Sequence, residues 1–159
     1  MCIYSLDSSH FSRSSFTVGS ARSFRPHPAS PLTLFLANHI PSPHGSATRL
    51  LSINLASLSL SVIADTDAGL FIDTLPMRCW LSGGDAVVGS TVRGVAKVPF
   101  VVGMDGKVNI TSGLEEGIEG NVVVLDVEDS GVALVVKSGH DTPHQLVRIM
   151  IGKVVYKVK

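Results

Sequence analysis

The chain has 159 residues, a length that suits one domain. Its 13 Lys and Arg balance 13 Asp and Glu, so the overall charge gives no reason to expect a nucleic acid or a membrane as partner. No run of about 18 apolar residues occurs, and we therefore predict no transmembrane helix. The two cysteines, Cys2 and Cys79, show no spacing typical of a disulfide, which favours a reducing compartment, and we expect the cytoplasm.

The two halves of the chain differ in composition. Residues 1–76 hold 15 of the 20 serines and six of the eight prolines but no lysine, whereas residues 77–159 hold 19 of the 21 valines and all six lysines. Between Ser8 and Ala64 there is no acidic residue. We place a domain boundary at Pro76/Met77, with a small β-domain over 77–159.

The N-terminal region shows little periodicity. Residues 1–48 mix Ser, Arg, His and Pro, and prolines cannot propagate a helix, so we predict disorder there. Residues 50–64 alternate apolar and small polar side chains, which suits a strand, with an amphipathic helix as the alternative. Residues 1–76 are interpreted either as a transit peptide or as an over-extended translation start upstream of Met77, and neither interpretation gives them a catalytic role.

Valine-rich runs predict an antiparallel β-fold after Met77. The clearest is a hairpin, in which strands 121–128 and 132–137 flank an acidic turn that ends in Gly131. Further strands are predicted over 86–95, 98–102 and 107–111, with a turn at 104–107 and a loop or single helical turn over 112–120. In 146–159, Val147, Ile149 and Ile151 share one face, and the phase changes at Gly152. Five or six short strands indicate a small antiparallel barrel of the SH3-like, Sm-like or OB type.

Segment 97–159 resembles the Sm-like (LSm) family of small five-stranded barrels. Residues 97–107 resemble the family's opening strand and turn, residues 121–128 its Asn-led apolar strand, and residues 149–158 its second motif. The family's acidic position four residues before the Asn is Gly117 here, and the arginine of its second motif is Ile151. The resemblance implies a ring-forming protein that binds RNA, with the Asn position hydrogen-bonded to a base.

The resemblance therefore marks the loops around Lys107, Asn121 and Gly152-Lys153 as an RNA site. Basic residues without acidic neighbours in the last segment predict that Arg148 and Lys157 contact phosphates. A solvated outer face is the alternative explanation of the same charges. We expect single-stranded RNA as partner and a homo-oligomer, which the resemblance implies to be a ring. The alternative function is a structural or accessory subunit of a larger protein or ribonucleoprotein assembly that binds protein through sheet edges.

Catalytic chemistry is not indicated by any motif. His140 and His144 lie four residues apart but lack the further ligands that a zinc site needs. Cys79 is the one thiol after Met77, and no motif joins it to a base. The sequence thus predicts a non-enzymatic binding module with no cofactor and no metal.

Overall fold

The computed structural model describes residues 2–6, 11–15, 21–38, 48–65, 69–110 and 120–151. These residues form strands, turns and one short 3-10 turn, Ser82–Gly84, without any α-helix, so the all-β prediction is confirmed for this part of the chain. The strands are β1 Cys2–Leu6, β2 Phe11–Ser15, β3 Ala21–Pro26, β4 Leu32–Asn38, β5 Thr48–Asn54, β6 Leu60–Ala64, β7 Trp80–Leu81, β8 Ala86–Arg93, β9 Ala96–Gly103, β10 Val108–Ile110, β11 Asn121–Val127, β12 Val132–Ser138 and β13 Gln145–Met150.

The strands form successive antiparallel meanders. Sheet 1 has the order β3-β4-β5-β6, sheet 2 the order β10-β9-β8-β7, and sheet 3 the order β11-β12-β13, while β1 and β2 form a separate pair. Every neighbouring pair of strands is antiparallel. Within the described ranges the sheets are open and none closes into a barrel, so the barrel type is not confirmed.

Two apolar clusters join the three sheets face to face. The first lies between sheets 1 and 2 and includes Leu36 of β4, Leu50 of β5 and Phe100 of β9. The second lies between sheets 2 and 3 and includes Val88 of β8 and Val135 of β12. Because side chains alternate along a strand, Val87 faces the first cluster and the adjacent Val88 the second. Sheet 2 is therefore the middle layer and is buried on both faces.

The hairpin predicted over 121–137 is confirmed. β11 and β12 pair in register from Asn121↔Ser138 to Val127↔Ala133. The turn closes with the Glu128 N–H donating to the Val132 carbonyl at 2.8 Å, and Gly131 has a φ of 85°, which the glycine tolerates without steric cost. A bulge lies between Val124 and Asp126, a feature that the sequence pattern does not reveal.

Other predicted strands are confirmed with small changes. β8, β9 and β10 fall within or close to the ranges 86–95, 98–102 and 107–111, and residues 104–107 form the turn between β9 and β10. Segment 50–64 is extended, but it is a hairpin instead of one strand. Asn54 makes the reversal, because its Oδ1 accepts the N–H groups of Ala56 at 2.9 Å and Ser57 at 3.1 Å.

Strands also occur within the region predicted as disordered. β3 and β4 occupy 21–26 and 32–38, and Leu34 and Leu36 of β4 are fully buried. Two of the prolines that argued against regular structure lie at strand boundaries: Pro26 ends β3 and Pro31 precedes β4, where a missing N–H costs little. Residues 1, 7–10, 16–20 and 39–47 of this region lie outside the described residues.

Packing continues across the Pro76/Met77 boundary. The cluster between sheets 1 and 2 joins Leu34, Leu50 and Leu75 to Trp80 and Phe100, so both sides of the boundary share one core. The Trp80 indole N–H also donates to the Pro26 carbonyl at 2.8 Å. Residues that precede Met77 thus cover one of the two faces of sheet 2.

Two arginines of β3 hold the connection between sheets 1 and 2. Arg22 donates to the carbonyls of Ile72 at 2.8 Å and Asp73 at 2.8 Å, and Arg25 donates to those of Leu75 and Pro76. This connection has no regular pairing of its own over most of its length, so its carbonyls need such donors.

A bulge places both arginines on one face of β3. Arg22 pairs with Leu36 and Arg25 with Leu34, and the two residues between them oppose Phe35 alone. Ser23 adopts a φ of 55° there, and its Oγ lies 2.9 Å from Thr74 Oγ1. Without the extra residue, side chains three positions apart would point to opposite faces.

We predict that a fragment of residues 77–159 lacks a cooperative thermal transition. Removing residues 1–76 uncovers Trp80, Val87 and Phe100, whose partners in the first cluster come from β4 and β5. Circular dichroism melts of the fragment and of the whole chain measure this. A cooperative melt of the fragment within a few degrees of the whole chain would contradict it and favour the Pro76/Met77 boundary.

We also predict that Arg25→Met lowers the free energy of unfolding by about 2–4 kcal/mol. The substitution leaves the Leu75 and Pro76 carbonyls without this donor, and each unsatisfied buried group costs about 1–3 kcal/mol. Arg93→Met, which changes an exposed arginine at the end of β8, is the matched control and should change stability by less than about 0.5 kcal/mol. Equal effects of the two substitutions on the free energy of unfolding in urea would show that the hydrogen bonds from Arg25 to the connection contribute nothing to stability.

Candidate interaction surface

Three of the six predicted RNA-contacting residues lie in the described part of the chain. These are Lys107, Asn121 and Arg148, whereas Gly152, Lys153 and Lys157 lie outside it.

Lys107 is paired within its own turn. Its Nζ lies 2.9 Å from Asp105 Oδ2, and its backbone N–H donates to Asp105 Oδ1 at 3.1 Å. These hydrogen bonds lower the pKa of the Asp105 carboxyl, and the same pairing raises the pKa of Lys107. The two opposite charges lie side by side on the surface, so this turn carries no net positive charge.

Arg148 is paired across sheet 3. Its guanidinium donates to both carboxylate oxygens of Glu128, at 2.9 and 3.1 Å, and both side chains are 51% exposed. An exposed pair of this kind contributes at most about 1 kcal/mol to stability. It nevertheless neutralises the arginine that was predicted to contact phosphate.

Asn121 has a structural hydrogen bond at the start of β11. Its Oδ1 accepts the backbone N–H of Lys97 at 2.8 Å, which ties the start of β9 in sheet 2 to sheet 3. The acceptor atom that would read a base edge is therefore already engaged by the protein backbone.

The register separates these three residues. Lys107 lies beside Gly103, and Asn121 lies beside Lys97. Gly103 and Lys97 are six residues apart along β9, which corresponds to roughly 20 Å at about 3.3 Å per residue. Asn121 pairs with Ser138 and Arg148 is opposite Leu134, four residues apart along β12, which is roughly 13 Å. The structure does not bring the three side chains into one pocket.

An ion pair that the sequence analysis missed joins sheet 3 to the connection between sheets 1 and 2. Arg78 Nε donates to both carboxylate oxygens of Asp126, at 2.8 and 3.0 Å, and a second guanidinium nitrogen contacts the same carboxylate. The hydrogen bonds from Arg78 lower the pKa of Asp126. The partners are 48 residues apart and show no motif, so only the fold reveals the pair.

Cys79 is a core residue. Its side chain is fully buried in the cluster between sheets 1 and 2, and burial raises the pKa of its thiol from 9.0 to about 12, with a smaller opposing effect from Arg25. The thiolate is the reactive form of cysteine, and at neutral pH this thiol is protonated.

His140 and His144 lie in the connection between β12 and β13, and both are exposed. Among the described residues, no group of three or more His, Cys, Asp or Glu is arranged to hold a metal ion.

A small cleft lies where the connection between sheets 1 and 2 meets β8 and β11. Its lining includes Phe71, Ser90 and both Val123 and Val124 of β11, so Val123 also borders this cleft. Asp73 and Lys97 form an ion pair of 2.8 Å beside it. Its volume of about 40 Å³ holds a few water molecules and is far below that of a ligand pocket.

An apolar surface that no described sheet covers is the outer face of sheet 3, defined as the side chains that point away from sheet 2. One row across it is Val123, Val136 and Leu146, which are paired in register on β11, β12 and β13. Leu146 is 62% exposed and Leu125, at the bulge, is 44% exposed. Leu134 and Met150 also lie on this face and are half-buried.

The signal for this face was present in the sequence. β12 reads Val-Ala-Leu-Val-Val, without the alternation of apolar and polar residues that marks a sheet with one solvated face. The missing information was the register, which decides which valines share a side.

No protein-family model and no curated protein matches the chain. Among solved structures, it is similar to TolB from Acinetobacter baumannii, with a TM-score of 0.57 and 12% sequence identity. The match covers 87% of this chain and 32% of the TolB chain, so the chain spans about a third of the length of that protein. At this identity the likeness concerns the fold alone. Sheets 1 and 2 are four-stranded antiparallel meanders, and sheet 3 is a three-stranded one.

In the ranges that the structure describes, we find no helix with the length and hydropathy needed to cross a bilayer.

We predict that the buried Cys79 thiol lowers the free energy of unfolding as pH rises above about 9. The unfolded thiol ionises near 9.0 and the folded thiol only near 12, so the unfolded state loses its proton first and is favoured by about 1.4 kcal/mol per pH unit in that window. The free energy of unfolding, measured by urea denaturation at pH 8, 9 and 10, should fall more steeply with pH for the unsubstituted protein than for the Cys79→Ala variant. Parallel slopes for the two proteins would contradict the burial argument.

Proposed function

We propose that this chain is a non-enzymatic binding module that docks a β-sheet of another protein molecule on the outer face of sheet 3. The observation that carries the proposal is the register row Val123, Val136 and Leu146. It places apolar side chains side by side on a face that lacks a covering sheet within the described residues.

Apolar burial is the dominant favourable contribution in most protein–protein association. A half-buried row with an exposed Leu146 offers such surface without first unfolding anything. The candidate catalytic residues add no competing function: Cys79 is buried and protonated, and His140 and His144 are exposed in a loop.

Protein docking is favoured over RNA binding by the state of the charges. Lys107 and Arg148 are each paired with a carboxylate, and the acceptor of Asn121 is used by the backbone. Phosphate binding needs several unneutralised cations along one path. RNA binding, the Sm-like relationship and a small closed barrel stay predictions from the sequence.

Sheet edges are a less favourable docking surface than the outer face. Residues 98–102 lie in β9, where β8 pairs with all of them and β10 pairs with 100–102, so most of this backbone is paired on both sides. Residues 154–158 lie outside the described residues.

The proposal predicts that an apolar dye reports on the outer face. Anilinonaphthalene sulfonate fluorescence should be enhanced by the folded chain and should fall in Leu146→Lys, because the added charge disrupts the apolar row. Val95→Lys is the matched control, since Val95 is fully exposed in the turn between β8 and β9. Equal dye binding by the two variants would contradict the proposal.

Titration with U-rich and A-rich single strands separates the RNA alternative. We expect no binding by the whole chain at about 50 mM salt, where contacts to phosphate are strongest. Binding that weakens steeply with salt and falls in Lys107→Ala would favour RNA as the ligand instead.

A further inference from the structure

β6 is an edge strand that carries neither charge nor proline. Within the described residues it pairs with β5 alone, at the end of the order β3-β4-β5-β6. Residues 50–64, which include β6, contain no charged residue and no proline. Natural proteins protect exposed sheet edges with charges, prolines, bulges or very short strands, because an unprotected edge pairs with other chains.

The other edge strands of sheets 1, 2 and 3 each have such a protection. β3 bulges between Arg22 and Arg25 and ends in Pro26. β7 has two residues and β10 has three. β11 bulges beside Asp126, and β13 carries Arg148. Pairing with another chain is therefore discouraged at each of these edges.

Leu60 and Val62 of β6 turn their backbone groups away from β5. The Asn54 N–H donates to the Ser59 carbonyl at 2.9 Å, so these two residues form a hydrogen-bonded pair at the start of the ladder. Such pairs alternate along an antiparallel ladder, so Leu60 and Val62 fall in the pairs that are not hydrogen-bonded. Their N–H and C=O groups point outward. β6 bulges at Ile63, and the regular stretch of the edge ends there.

Two apolar rows of sheet 1 end at the same two residues. Leu60 is opposite Ile53, and Val62 is opposite Leu51, on the face of sheet 1 that points away from sheet 2. Ile53 and Leu51 are 1% and 3% exposed, whereas Leu60 and Val62 are 37% and 47% exposed. A further strand with apolar side chains at the matching positions would continue both rows and cover these two residues.

We infer that the edge of β6 binds an extended, uncharged segment of another protein, which adds a fifth strand to sheet 1. An extended chain presents its N–H and C=O groups at a spacing of two residues, about 6.6 Å, which is the spacing of the outward groups of Leu60 and Val62. The residues of the segment that lie opposite these two are apolar, because directly opposite residues share a face.

The charges near the edge favour an uncharged segment. Arg49 and Asp65, the charged residues that flank 50–64, form an ion pair with each other at 2.9 Å. No charged side chain of β6 itself selects a charged partner. The edge belongs to sheet 1, so its binding is independent of the outer face of sheet 3.

N-methylated peptides test this pairing. The probe is a fluorescein-labelled peptide that alternates threonine and valine. When its valines lie opposite Leu60 and Val62, their amides face β6 and the threonine amides face away. Methylation of the valine amides should weaken binding to the whole chain roughly tenfold or more, measured by fluorescence anisotropy up to about 1 mM chain. Methylation of the threonine amides is the matched control and should leave binding unchanged.

Variants of the chain locate the site. Val62→Pro removes an outward N–H and Val62→Lys adds a charge at the edge, and each should weaken binding of the unmethylated peptide roughly tenfold or more. Neither removes a hydrogen bond to β5, so both should melt within a few degrees of the unsubstituted chain. Val95→Lys and Leu146→Lys, which change exposed residues elsewhere, should leave peptide binding unchanged.

Three results would overturn the inference. The first is a failure of the unmethylated peptide to bind at any concentration, and the second is equal binding of the two methylated peptides. The third is a dimer of the chain, seen by sedimentation velocity, that Val62→Lys dissociates, since β6 would then pair with a second copy instead of another protein. Because Leu146→Lys acts only on the dye that reports on sheet 3, failure here leaves the proposed function standing.

Discussion

The burial of sheet 2 on both faces is the constraint on which the rest of the structure depends. A sheet in the middle of a stack needs apolar side chains at almost every position, and β9 supplies Phe100, Val101 and Val102 in sequence. Phe100 also needs room, because its ring occupies the space over Gly89 on the paired strand. A Cβ at Gly89 would lie 2.7 Å from that ring, so the glycine is what allows the aromatic side chain to fill the first cluster.

The backbone carbonyls of the connection between sheets 1 and 2 also need hydrogen-bond donors. The connection crosses from one layer to the next without a strand partner over most of its described residues, so these donors must come from elsewhere. Arg22 and Arg25 meet this need with fixed, multiply donating guanidinium groups. Both arginines point to the same face only because β3 bulges at Ser23. The strained φ of 55° at Ser23 is therefore what allows the arginines to hydrogen-bond to the carbonyls of the connection.

Local patterns predicted individual strands well and their assembly poorly. The hairpin over 121–137, the turn at 104–107 and the shared face of Val147 and Ile149 all follow from β-branched residues, turn glycines and a period of two. The stack could not be predicted in this way, because a continuous apolar strand fits a closed barrel as well as a middle layer. Residues 21–38 were harder still. Three of these 18 residues are prolines, which argue against regular structure, while the burial of Leu34 and Leu36 depends on sheet 2, which follows more than 40 residues later.

The candidate site shows the same division between local and non-local information. Lys107, Asn121 and Arg148 are polar residues near turns, which a sequence can identify, but their partners Asp105, Lys97 and Glu128 decide whether they are available to a ligand. Pairing neutralises Lys107 and Arg148, while Gly152, Lys153 and Lys157 lie outside the described residues, so RNA binding stays a prediction. The outer face of sheet 3 carries Leu134 and Leu146 beside the charged Asp126 and Arg148, and no described sheet covers it. Removal of such apolar side chains from water is favourable, and for this reason the function that we propose rests on packing and not on a single reactive group.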